Sequence, residues 1–195
     1  MGHRVAVRRL EHLRRPRPPG RDRADDARDV LGHMVATAST TPATFVSRFA
    51  RSGFRFDTFV ARDVARETAG SPSDTLDRFR SRRTATTHPP GPLEDMLGEC
   101  IVHGEDIRRP LGITHDYPVE TVTRVADFYK RSNLLLGAKR RIAGLTLRAT
   151  DANWSTGTGP EVAGPALSLV LVMAGRTAGL SELSGPGLDT LRTRG

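Results

Sequence analysis

Apolar residues recur at helical spacing over the first two thirds of the chain and switch to alternation near its end. Over 27–38, Val30, Leu31, Met34, Val35 and Ala38 make one stripe of an amphipathic helix. A shorter helix is predicted over 42–51, with Phe45, Val46 and Phe49 inward and Gly53 ending it. The next, over 54–69, carries Phe56, Phe59, Val60 and Val64. Ser71 as N-cap and Pro72 in the first turn start a helix running to 83, with Leu76 and Phe79 inward. His88-Pro89-Pro90 keeps 84–91 extended. A helix over 92–109 is well bounded: Glu94 and Asp95 complement its positive end, and Pro110 and Gly112 stop it. Pro118 and Glu120 open a long helix to 136, with Val122, Val125, Ala126, Phe128, Tyr129 and Leu135 apolar and Gly137 as its C-cap.

The character then changes. Leu145, Leu147 and Ala149 alternate with Thr146, Arg148 and Thr150, the mark of a strand with one buried face. A turn-rich stretch over 151–159 surrounds Trp154, a short strand fits 161–163, and helices fit 165–175 and 187–192. The predicted fold is therefore mainly α: a helical bundle over 25–137, then a small α+β region over 138–195. Residues 1–24 carry Pro16, Pro18, Pro19, Gly20 and eight arginines. They break any helix and repel one another, so a disordered arm is expected.

Chemistry concentrates in the 92–109 helix. Glu99, His103 and Asp106 fall at i, i+4 and i+7, one stripe, with Asp95 a turn earlier. Leu93, Met96, Leu97, Cys100, Ile101 and Ile107 form an apolar face beside it. A carboxylate, an imidazole and a second carboxylate on one rigid element can contribute to a divalent-metal site inside a bundle. The same spacing also occurs on solvated helices, where acid and histidine make only a weak pair. His33 lies off the centre of its own stripe, where a lone histidine is more often a surface or partly buried residue than a ligand, and it matters only if this helix faces the one that carries Glu99. Cys100 points into the apolar face and is expected to be a core residue, not a nucleophile.

The formal charge is +8, which raises the question of nucleic acid. Much of the excess sits before residue 24, without aromatic residues to stack on bases, so no nucleic-acid partner is expected. The single cysteine excludes an internal disulfide. The arginine-rich start is followed by no apolar stretch of signal-peptide type, and the apolar run over 167–174 is too short for a span. A cytoplasmic protein without a membrane partner is the expectation, as monomer or homodimer. Gly157 and Gly159 lack the other residues of a phosphate-binding fingerprint and read as turn glycines.

Several spaced segments, taken together, carry a resemblance. They are Arg28-Asp-Val-Leu-Gly-His33-Met and the run from Pro90 through Glu99-Cys-Ile-Val-His103-Gly-Glu-Asp106 to Gly112. Further on come Ala149-Thr-Asp-Ala-Asn-Trp154, Gly157-Thr-Gly-Pro-Glu161, Gly164-Pro165, Ala174-Gly-Arg176 and Leu183-Ser-Gly-Pro-Gly187. In this order they resemble the short form of the actinobacterial mycothiol-dependent maleylpyruvate isomerase family, whose bundle is of the DinB type. The resemblance runs from residue 28 to the end. It implies a metal, zinc or another divalent ion, held by His33, Glu99 and His103, with Asp106 beside it as a catalytic residue. It also implies mycothiol as a small-molecule thiol cofactor, adding as a metal-bound thiolate to a small electrophilic substrate in an isomerase or S-transferase reaction. A tail arginine, for which Arg176 is the candidate, would pair with a substrate carboxylate. The chain departs from the family ahead of His33, where the usual helix and Gly-Trp pair are replaced by an Arg/Pro-rich stretch. A bundle short of one helix would leave an apolar groove uncovered. The alternative is a non-catalytic metal-binding bundle acting as an interaction or sensing module.

Overall fold

The structure is a computed structural model that describes residues 23–133 and 137–194. The arm expected over 1–24 and the position of Leu135 fall outside or at the edge of those residues. The chain divides into two units, one through Ile113 and the other from Thr114.

The first unit is helical: α1 Arg23–Ala38, α2 Pro42–Arg51, α3 Phe56–Glu67, α4 Pro72–Ser81 and α5 Leu93–Arg108, followed by a 3-10 turn at Arg109–Leu111. α1 is its hub, packing against α3, α4 and α5. Val30, Val35 and Ala36 of α1 are buried, as are Phe59, Val60 and Val64 of α3 and Ile101 and Val102 of α5. Arg28 ties α1 to the α3–α4 connection, donating to Gly70 O at 2.6 Å and Thr75 Oγ1 at 3.3 Å. The expected start of α4 is present. Ser71 Oγ accepts from Asp74 N, and the Asp74 carboxylate accepts from Ser71 N, satisfying two amides that a helix start leaves unpaired.

The faces of these helices differ in part from the sequence expectation. Val46 is exposed rather than inward, as is Leu76, whose neighbour Thr75 is the buried residue of α4. Phe54 precedes α3 in a turn and is also exposed. A hydrophobic stripe tells which residues share a face, not whether another element covers it.

The second unit holds α6 Val119–Tyr129, α7 Ala138–Arg141, a sheet of β1 Thr146–Ala149, β2 Ser155–Gly157 and β3 Glu161–Gly164, then α8 Ala166–Met173, a 3-10 stretch Thr177–Glu182, and α9 Leu188–Arg192. Strand order is β2-β1-β3, with β1 antiparallel to β2 and parallel to β3. Leu147 lies opposite Thr156 on one side and Val162 on the other. α8 is apolar all round and almost wholly buried, and it packs on α6, β1 and β3, the expected environment for a helix without a polar face. α6 ends at Tyr129, short of the expected 136, and Gly137 stands in the left-handed region before α7 instead of capping α6. Gly157 and Gly159 do serve as turn glycines. A Cβ on either would lie 2.1 Å from Leu145 O or 2.2 Å from Gly144 O. The architecture is thus mainly α, with a small three-stranded sheet near the C-terminus. Among the described residues no helix is long and apolar enough to cross a membrane.

Candidate metal centre

α5 turns its polar stripe, not its apolar face, toward the interior. Asp95, Glu99, His103 and Glu105 are buried along with Gly98, Ile101 and Val102, whereas Leu93 is 62% exposed. Of the six residues expected to form the apolar face, only Ile101 is buried. Cys100 is exposed, which corrects its expected place in the core. The physical reason is register: with Glu99 and His103 aimed at α1, the neighbouring residue a quarter turn away projects to the side. Partial burial and the adjacent Glu99 charge push its thiol pKa up.

α1 supplies the partner. The helix carries His33 on the face that meets α5, where the ring is 6% exposed. His33 Nε2 donates to Glu99 Oε2 at 3.0 Å. His103, 0% exposed, places its Nε2 3.3 Å from the same oxygen. The two imidazoles meet edge-on with centroids 5.0 Å apart. One ligand atom from each of His33, Glu99 and His103 lies within 4.8 Å of the others, and all three residues are buried.

His103 Nε2 has no hydrogen-bond partner, because its approach to Glu99 is not aligned for one. An orphaned ring nitrogen at zero exposure is costly unless something else satisfies it. Its other nitrogen is committed: Nδ1 donates to Asp106 Oδ2 at 3.0 Å. That arrangement, a carboxylate holding one imidazole nitrogen while the other faces a shared centre, is the usual outer support of a metal-ligating histidine. Zinc with bonds of about 2.0 Å in tetrahedral geometry sets its ligand atoms roughly 3.3 Å apart, close to the 3.0 and 3.3 Å of the two Glu99–imidazole pairs, and the three atoms together lie within 4.8 Å of one another. The group of His33, Glu99 and His103 could therefore hold a metal ion, and two imidazoles with one carboxylate suit zinc.

The electrostatics agree. Burial works against a charged His103, yet the hydrogen bond to Asp106 and the charge of Glu99 outweigh it and raise its pKa above the ordinary 6.5. In the metal-free chain a proton on this ring is therefore favoured. Glu105, buried one residue before Asp106, is instead an intrahelical partner: it accepts from Arg109 Nε at 3.0 Å.

The structure thus brings together four of the five residues singled out from the sequence, His33, Glu99, His103 and Asp106. Arg176 belongs to the second unit, where it is 9% exposed, caps the 3-10 stretch and donates to Ala174 O at 3.4 Å. Comparison with known proteins gives no relative: no family model, no curated protein and no solved structure matches the chain.

Proposed function

We propose that the chain is a zinc-dependent enzyme that employs a low-molecular-weight thiol, as an isomerase or S-transferase acting on a small electrophilic substrate. The observation that carries the metal is the buried, unpartnered Nε2 of His103, facing the Glu99 oxygen that His33 also reaches. Three protein ligands leave a coordination position open, the arrangement of catalytic rather than structural zinc. Zinc bound there supplies the thiolate form of a coordinated thiol, its nucleophilic state. The chain's own residues do the rest. His33 and His103 present ring nitrogens and Glu99 a carboxylate oxygen. Asp106 keeps the His103 proton on Nδ1, so that the Nε2 lone pair stays directed at the centre. Burial of all three ligands keeps their mutual geometry out of competition with bulk water. Mycothiol as the thiol, and maleylpyruvate-like electrophiles as substrates, rest on the sequence resemblance.

The test is cobalt(II) substitution followed by titration with mycothiol. A thiolate-to-cobalt charge-transfer band that is absent from Glu99→Ala, together with thiol-dependent turnover, is the expected result. Cobalt uptake without such a band and without turnover would leave a metal-binding module and contradict the enzymatic reading.

A further inference from the structure

The corner between α2 and α3 leaves two large apolar side chains, Val46 and Phe54, in solvent. Five of the chain's seven phenylalanines fall at positions 45, 49, 54, 56 and 59; Phe59 is buried, Phe45, Phe49 and Phe56 are half-buried and pack against it, and Phe54 is exposed. No residue of α2 is buried; Val46 is 63% exposed and Phe54 66%. Phe54 also has φ +57°, the one positive φ at a non-glycine among the described residues. A bulky aromatic in the left-handed region is strained. Here the strain holds a large ring outward at a turn tip, in contact with Phe49 at a centroid distance of 5.5 Å. The same turn closes α2, Phe54 N donating to Phe49 O at 3.1 Å, while most of the ring stays in solvent.

The charge around the ring is mostly of one sign. Arg51 and Arg55 flank Phe54 and are exposed, and neither guanidinium has a hydrogen bond or ion pair among the described residues. Asp57 is the exposed carboxylate nearest in sequence. We propose that this corner docks on a membrane surface rich in anionic phospholipid. Phe54 enters the boundary between headgroups and acyl chains, and Arg51 and Arg55 pair with lipid phosphates. A single ring at a turn tip suits a soft apolar medium. The proposal replaces the expectation of no membrane partner and does not depend on the metal site.

Co-sedimentation of the full chain with sucrose-loaded vesicles tests it, using phosphatidylcholine alone and phosphatidylcholine mixed with phosphatidylglycerol. Binding to the mixed vesicles is expected, and it should fall with added salt. Phe54→Ser should weaken that binding about tenfold, the scale of losing a buried aromatic. Replacing Arg51 and Arg55 together by Glu should weaken it at least as much. Phe54→Gly separates docking from folding: relief of the positive φ should keep or raise the melting temperature while binding falls. Equal binding of wild type and Phe54→Ser overturns the proposal, as does failure to bind the mixed vesicles. Dimerisation through this corner, or capture of an acidic amphipathic peptide in place of lipid, overturns it as well.

Discussion

At the scale of single residues, His103 is where a proton and a metal compete. In the metal-free chain its pKa is raised above 6.5, by carboxylates that overcome its burial. A group made more basic on folding contributes stability that is complete below its unfolded value and is lost as pH rises through the higher folded value. Zinc reverses this, because the ligands must be deprotonated to bind it. The increment in melting temperature on adding zinc is therefore expected to grow between about pH 6 and about pH 8. Melting curves at the two values, with and without zinc, check this, and an increment that shrinks with pH would contradict it. Asp106→Asn keeps the shape but removes the charge that fixes the His103 tautomer. Zinc affinity should fall about 10- to 100-fold with the fold retained, measured by competition with a chromophoric chelator. Cys100 gives a simpler expectation. It is exposed and its thiol pKa is raised, so iodoacetamide should label it in the folded chain, faster as pH rises.

At the scale of elements, the candidate site depends on how closely α1 sits on its neighbours. Gly32 precedes the candidate ligand His33, and a Cβ there would lie 2.6 Å from Thr68 Cγ2. Thr68 is β-branched and stiff. Gly32→Ala should therefore cost about 1–3 kcal/mol despite better helix propensity, and weaken metal binding by moving His33. Thermal unfolding and zinc affinity measured on the same sample check both effects. The element boundaries of this region were largely legible: α2 and the starts of α4 and α5 carry capping and proline signals that act locally. The pairing of Glu99 with His103 was legible too, because helical spacing alone puts them together. His33 was not legible from its surroundings in the chain, since its ligand role depends on packing between α1 and α5, and only the family resemblance suggested it. Burial of the apolar positions was legible where a neighbour exists, as at Val60 and Val64, and misleading at Val46, Leu76 and Cys100. β2 escaped notice because Ser-Thr-Gly carries no apolar alternation; its strand character comes from pairing with β1.

At the scale of the molecule, two units share the chain, and the candidate metal centre lies wholly within the first. Its candidate ligands come from α1 and α5, with His33 and Glu99 66 residues apart in sequence. A bound metal therefore cross-links them and stabilises the fold by mass action, about 2.7 kcal/mol at a hundredfold excess over the dissociation constant. The most direct test of the central claim is the metal content of the purified chain by elemental analysis, alongside His33→Ala, Glu99→Ala and His103→Ala. About one zinc per chain, lost in all three variants, is the predicted result. No metal retained by the wild type after zinc is supplied and the excess removed would contradict the account. It would leave His103 Nε2 as an unsatisfied nitrogen in a buried polar cluster.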